Sequence, residues 1–379
     1  MAEVATAPPP PCVLVLGPHR AAISGVSTHL NQLFDSPLSE NFRLKHFQVG
    51  SEGRRESSAG RLLRLLGSPF RLAATLLVER VDIVHLNTSL NRRAYWRDLA
   101  YLLVARLLGT RVLYQVHGGD LPERFSARHR WLPWMLRATL RLPEVIIVLA
   151  RSELEAYRHF VPGTAIRLLP NGIDPQPYAQ LERSPPAQKG LHLLYIGRLA
   201  RDKGLFEALH GLRLARLQGA VAHLTIAGGG PDEAGLHKTV RDLHLEQAVS
   251  FVGPVFDAAK RQLLASADVL LLPSYSEGLP YALLEGMAAG LAAIATPVGA
   301  IPDVLIDHQH GLLVPPQDTH AIARAIALLA ANPQLVARMG ADSRQRIATA
   351  YSLRQLIRNF NQLYSELSAP RPSSAASRP

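Results

Sequence analysis

A chain of 379 residues, 47% hydrophobic, can build two ordinary domains, each with its own core. Its single cysteine, Cys12, excludes a disulfide framework and a cysteine-based zinc site, fits a reducing compartment and makes a cytoplasmic location the expectation. The formal net charge of +11 is uneven: Lys+Arg against Asp+Glu is 22 to 14 in residues 1–180 and 19 to 16 in 181–379.

The opening MAEVATAPPPP lacks the basic start and apolar core of a signal peptide, and no apolar run approaches the roughly 18 residues of a spanning helix. Both ends, 1–11 and 368–379, are rich in Pro, Ala and Ser and are expected to be disordered. Short apolar runs then alternate with stretches of helical period: CVLVLG 12–17, LKHFQV 44–49, VDIVHL 81–86, RVLYQV 111–116 and EVIIVLA 144–150. This alternation predicts a parallel sheet with crossover helices. RLLPNGIDPQPYAQLERSPPAQKG, 167–190, has the Pro, Gly and Asn content of a connecting segment, with the domain boundary near 175–188. The pattern resumes with LHLLYIG 191–197, AHLTIAG 222–228, AVSFVG 248–253, ADVLLLP 267–273, LAAIATP 291–297 and GLLVP 311–315. An α/β protein of two doubly wound domains follows, with strands buried on both faces.

Ligands of open α/β sheets bind beyond the carboxyl ends of the strands, so the residues there are the candidates. After the first strand, GPHRAAISGVSTHL offers Gly17 and Gly25 for close backbone approach, and the Ser24–Ser27 region can start a helix whose amides face an anion. VHGGD sets His117 at the end of the fourth strand, at the cleft edge before two flexible glycines, where a lone histidine among fifteen is more often structural than functional. In the second domain, YIGRLARDKGLFEAL places Arg198 and Lys203 around a turn freed by Gly197 and Gly204, the outline of a diphosphate clamp or else a solvated turn. IAGGGPDEAGL fits close packing near a ligand or only a tight turn. In SYSEGLPYALLEGMAAG, Glu277 falls in a strand-to-helix loop and Glu285 on the helix after Pro280, so two acids at different depths can accept from a polyhydroxylated ligand. The amides of Gly278 and Leu279 lie between them.

GRLARDKG, SEGLPYALLEGMAAG, TPVGAIPDVLIDHQHGLLVPPQD and LPNGID together resemble the retaining family-4 glycosyltransferases, from Cys12 to about Leu367. The resemblance implies the glycosyltransferase B-type fold: an acceptor-binding domain 12–175, a linker 176–188, a nucleotide-sugar domain 189–350 across a cleft, and a helix 351–367 crossing back to the first domain. It also implies that Arg198 and Lys203 hold the nucleotide diphosphate, that Glu285 binds the ribose, and that Glu277 with Gly278 and Leu279 binds the donor sugar. Gly25 would approach the diphosphate and His117 would line the sugar pocket. Gly197 and Val252 join the donor-binding set, Val252-Gly253 as a base-selecting edge. Two positions depart from the pattern: Ser24 precedes Gly25 where two glycines are frequent, and Asp303 stands where glutamate is usual.

No Asp-x-Asp pair occurs in the chain, so cations and helix dipoles are expected to stabilise the leaving diphosphate without a metal, and no cofactor is expected beyond the nucleotide-sugar substrate. Residues 61–141 hold 14 arginines against five acids, interleaved with leucines and with Tyr95, Trp96, Trp131 and Trp134. Such a stretch fits an anionic membrane surface and a lipid-linked or glycan acceptor, with ordinary solvated helices as the alternative. Competing readings are a nucleotide-sugar epimerase of similar shape, a nucleic-acid binder and an inactive sugar-binding homologue. With Arg198, Lys203, Glu277 and Glu285 all present the transferase is favoured, and no nucleic-acid partner is expected.

Overall fold

The computed structural model describes residues 9–50, 57–181 and 189–370; most of the two ends read as disordered lies outside these residues. The described residues fall into two compact units, one within Met1–Val148, Glu153–Leu169 and Leu356–Pro379, the other comprising Leu149–Ser152 and Pro170–Gln355.

The first unit carries a parallel sheet of β1 (Cys12–Gly17), β2 (Arg43–Gln48), β3 (Ile83–Leu90), β4 (Arg111–Gly119), β5 (Val145–Val148) and β6 (Ile166–Leu168) in the order β2-β1-β3-β4-β5-β6. The second carries β7 (Leu191–Ile196), β8 (Ala222–Ala227), β9 (Val249–Gly253), β10 (Val269–Leu272), β11 (Ala292–Ala295) and β12 (Gly311–Leu313) in the order β12-β11-β10-β7-β8-β9. All sheet pairings are parallel. Every residue of β1, β5, β10 and β11 is buried, as a sheet covered by helices on both faces requires. Each expected apolar run became a strand.

β6 is an added strand that runs into the start of the segment read as connecting. It is three residues long at the sheet edge, paired with β5, and is followed by Leu169 N–H donating to Val148 O at 2.9 Å. So short a run beside Pro and Gly gives no periodic signal. The long run of the second unit starts at Pro170, apart from its separate stretch Leu149–Ser152. Asn171 Nδ2 donates to Leu279 O at 2.9 Å and Ile173 N–H to Tyr351 O at 3.0 Å, so the Pro/Gly-rich backbone is already tied into that unit.

The last helix, Leu353–Ser368, buries Leu356, Phe360, Leu363 and Tyr364, the spacing of one helical face. From Leu356 on it belongs to the first unit. There Tyr364 packs edge-on against Phe42 with ring centroids 5.3 Å apart, and its hydroxyl lies 2.7 Å from His85 Nδ1. Four such side chains, at about 1.5–3 kcal/mol each, outweigh what an exposed helix gains from its own propensity.

Candidate functional site

In the second unit, the chain leaves β7 at Gly197, whose N–H donates to Ala227 O at 3.0 Å, and turns through the 3-10 segment Arg201–Lys203 into the helix Leu205–Leu217. Gly204 makes that turn with φ +68°, and a Cβ there would overlap the carbonyl oxygen of Pro273. Tyr195 Oη donates to Arg198 O at 2.8 Å, fixing the backbone of the turn. The Arg198 side chain is exposed and stands 3.6 Å from Asp202. Lys203 is different: its Nζ lies 2.7 Å from Glu277 Oε1, and the two side chains are only 18% and 15% exposed.

Glu277 comes from the loop after β10. Tyr275 N–H donates to Asp202 O at 2.8 Å, which ties this loop to the Arg198–Lys203 turn. Gly278 O accepts from Ala300 N–H at 2.8 Å. Beside it Gly299, φ +56°, presses so closely that a Cβ would overlap the carbonyl oxygens of both Glu277 and Gly278. Leu279 buries its side chain, while the amides of Gly278 and Leu279 donate to no group among the described residues. Pro280 then caps the helix Tyr281–Ala288, and these amides with the helix N-terminus form an anion-accepting edge.

Glu285 sits on that helix, 6% exposed. Its Oε1 accepts from Lys260 Nζ at 2.6 Å and from Tyr178 Oη at 3.0 Å; no donor among the described residues reaches Oε2. Burial, and then the Glu285 charge, raise the Tyr178 phenol above its ordinary range, so Tyr178 remains a donor. Lys260 balances the carboxylate, and Oε2 is left able to accept a further hydrogen bond. Val252 lies 43% exposed on β9, next to Gly253 at φ +71°.

Gly25 and His117 belong to the first unit. Gly25 is exposed at the start of the helix Gly25–Phe34, after the cap residue Ser24, whose Oγ accepts from Ser27 N–H at 3.2 Å. His117 is half-buried near the end of β4, with Nε2 2.7 Å from Asn87 Oδ1. Its ring centroid lies 5.0 Å from that of His29. His29 and His85 both direct Nε2 at Gln115 Oε1, at 3.1 and 2.9 Å. Burial lowers His29 to about 4 and His85 to about 3, and burial with these neighbours holds His117 well below its ordinary value. All three are neutral near pH 7.

The structure thus brings Lys203 and Glu277 into direct contact, seats Glu285 on partners of its own, and turns Arg198 toward Asp202. Lys260 and Tyr178 escaped the sequence reading, Lys260 in a helix without a motif and Tyr178 in the supposed linker. Asp303, one of the two departures, accepts from Arg151 N–H through Oδ2 at 2.7 Å. Among the described residues no group of three His, Cys, Asp or Glu side chains is placed to hold a metal ion. A concavity of about 690 Å³ lined by His210, Arg213, Gln317 and His320 shares no residue with these loops.

The arginine-rich stretch divides. Arg97 pairs with buried Asp98 at 2.6 Å, Arg106 with Glu144, Arg111 donates to Leu367 O, and Arg137 Nε donates to Phe160 O at 3.2 Å. Arg92, Arg93, Arg128 and Arg130 are exposed. So are Trp96, Trp131 and Trp134, with the Trp96 and Trp131 rings 6.3 Å apart. Tyr95 corrects the sequence reading: it is 1% exposed, its hydroxyl 2.8 Å from Thr139 Oγ1, because its position on the helix Arg92–Leu107 faces the core.

Residues 179–346 match the profile of the glycosyl transferases group 1, and residues 35–177 that of glycosyltransferase family 4. Glycogen synthase from Mycobacterium tuberculosis is 29% identical over 253 residues, 65% of this chain but 59% of its own, so the chain spans under two thirds of that relative. GDP-mannose:cellobiosyl-diphosphopolyprenol alpha-mannosyltransferase from Xanthomonas campestris is 26% identical over 321 residues, 81% of each chain. The crystal structure of HepE from Anabaena in complex with UDP-glucose shares the fold with a TM-score of 0.71, covering 94% of this chain and 99% of its own at 15% identity. With residues 35–177 and 179–346 both matched, the chain belongs to the group 1 glycosyltransferases of family 4.

Proposed function

We propose that this glycosyltransferase moves a sugar, with retention and without a metal, from a nucleotide-sugar donor to an acceptor hydroxyl on a lipid-linked or polysaccharide precursor. The observation that carries the donor half is the Lys203–Glu277 contact beside the free amides of Gly278 and Leu279. Breaking the anomeric bond leaves negative charge on the diphosphate and positive charge on the sugar. Lys203, Arg198 and the amides favour the first, and Glu277 can accept from sugar hydroxyls next to the second. Glu285 Oε2 serves the ribose. No carboxylate is free of a cation to act as nucleophile among Glu277 and Glu285, which supports a same-face displacement. In it the acceptor oxygen bonds the anomeric carbon as the phosphate oxygen leaves, and the acceptor proton passes to that phosphate.

The acceptor half rests on the first unit. Exposed Trp96, Trp131 and Trp134 with Arg92, Arg93, Arg128 and Arg130 suit an anionic cytoplasmic membrane face, and the Xanthomonas relative is named for a diphosphopolyprenol acceptor. No helix among the described residues is long and apolar enough to cross a membrane, so the attachment proposed is peripheral. A thermal-shift screen against UDP, GDP, ADP and their sugars identifies the donor, and NMR of the product formed on lipid-linked acceptors reads the anomeric configuration. Retention supports the reading; an inverted product, or release of free sugar alone, overturns it.

A further inference from the structure

Glu285 is tied to one short stretch of backbone in its own unit. Lys260, whose Nζ lies 2.6 Å from Glu285 Oε1, stands on the helix Asp257–Ser266, and its N–H donates to Phe256 O at 3.2 Å. Phe256 is therefore one helical turn, about 6 Å along the axis, from the residue that grips Glu285. The loop VGPVF, 252–256, joins β9 to this helix at the carboxyl edge of the sheet, and none of its side chains is polar. The loop turns sharply at both ends. Gly253 has φ +71°, and Asp257 opens the helix at φ +44°, a left-handed conformation that a residue with a side chain holds only where its surroundings impose it. Between them Phe256 is extended, with φ −138° and ψ 159°, and 51% exposed. A lone exposed phenylalanine is ordinary on a protein surface. This one stands beside the acid read as the ribose partner, at the sheet edge where ligands of open α/β folds bind.

We propose that the Phe256 ring is the platform on which the nucleobase of the donor stacks, with Val252 closing one edge. This rests on the donor reading above, in which Glu285 holds the ribose. The base hangs from the ribose carbon next to the one that bears the 2′-hydroxyl, so a ribose held by Glu285 sets the base close to that carboxylate. The first turn of the Lys260 helix is within its reach. A ring face holds a base without hydrogen bonds and tolerates any of them, which matches a loop whose side chains offer none. Phe256 thus supplies affinity for a base, and the choice among bases falls to backbone groups. Lys260 has a second part in this arrangement: its grip on Glu285 fixes the platform and the ribose acid at one separation.

Titration calorimetry of the full-length native chain, Phe256→Ala and Phe256→Trp tests this with UDP, GDP, ADP and ribose 5-diphosphate. The last keeps the groups assigned to Lys203 and Glu285 and lacks the base. For whichever nucleotide binds the native chain, Phe256→Ala is expected to weaken binding about tenfold or more, and Phe256→Trp to stay within about threefold of native. Ribose 5-diphosphate is expected to bind all three chains alike. The emission of Phe256→Trp, less that of the native chain, is expected to be quenched by the nucleotide and not by ribose 5-diphosphate. Native affinity for the nucleotide in Phe256→Ala overturns the proposal, as does an equal loss on ribose 5-diphosphate. So does an emission unmoved by a nucleotide that calorimetry shows to be bound. A native chain that binds none of the nucleotides defeats the donor reading and the platform with it, whereas full binding by Phe256→Ala defeats the platform alone.

Discussion

Lys203 Nζ and Glu277 Oε1 stand 2.7 Å apart, each side chain less than a fifth exposed, so each holds the other's charge in place. Lys203→Ala therefore removes the cation and leaves Glu277 unpaired. We expect turnover to fall about 10²–10³-fold, the weight of one preorganised oxyanion donor. We also expect a stability loss of about 1–2 kcal/mol, between the values for exposed and buried pairs. Arg198→Ala, on an exposed side chain, should lower turnover with little change in stability. Steady-state kinetics with urea unfolding distinguish the two, and near-normal turnover in both variants removes the clamp.

Glu285 accepts from Lys260 and Tyr178 through one oxygen only. Since a ribose contact is held in ground and transition states alike, Glu285→Gln should raise KM more than it lowers kcat. Tyr178→Phe, which leaves the Lys260 pair intact, should raise KM by less. A fall in kcat at unchanged KM in Glu285→Gln would move Glu285 to the reacting centre.

Gly299→Ala tests whether the Glu277 loop is held from behind. The left-handed backbone costs about 1–2 kcal/mol for an alanine, and the methyl meets the carbonyls of Glu277 and Gly278. The expected outcome is a lower Tm together with a raised donor KM, although Gly299 offers no side chain to a ligand. Unchanged KM would mean that the loop tolerates displacement.

Much of this was legible beforehand, and the exceptions have physical causes. Strand runs such as Val13–Leu16 or Val269–Leu272 are written in apolar β-formers because both sheet faces are covered. β6 was not legible, since three residues carry no period. Glu277 and Glu285 stood out by spacing, whereas Lys260 and Tyr178 reach Glu285 from 25 and 107 residues away in sequence. Tyr95 beside Trp96 shows the converse: composition named an aromatic, exposed stretch, but the helical turn sent one ring inward and the other out.

His29 and His85 predict acid sensitivity of the first unit. Unfolded histidines titrate near 6.5, these two near 4 and 3 when folded, so below pH 6.5 the unfolded chain binds more protons. Stability is thus complete above about pH 6.5 and falls as pH drops toward 4 and then 3, each histidine contributing a slope of about 1.4 kcal/mol per unit. All three tryptophans lie in this unit, so urea midpoints followed by tryptophan fluorescence report on it. A flat profile from pH 7 to 5 would contradict the burial of these rings.

The peripheral membrane attachment proposed above predicts salt-sensitive capture by anionic vesicles, with a blue shift of tryptophan emission. Trp131→Ser and Trp134→Ser together should reduce the shift to what Trp96 alone gives, and Arg128→Ser with Arg130→Ser should weaken co-sedimentation at low salt. Equal, negligible binding to anionic and neutral vesicles would leave these residues as ordinary surface.

The central claim is that Lys203 and Glu285 hold a nucleoside diphosphate without a metal. Titration calorimetry of UDP, GDP and ADP in EDTA, on the native chain, Lys203→Ala and Glu285→Gln, tests it most directly. The account predicts that at least one diphosphate binds the native chain in chelator and that each substitution weakens it about tenfold or more, the loss of one charge-assisted hydrogen bond. Binding that appears only when Mg²⁺ or Mn²⁺ is restored, or that survives both substitutions unchanged, would contradict it.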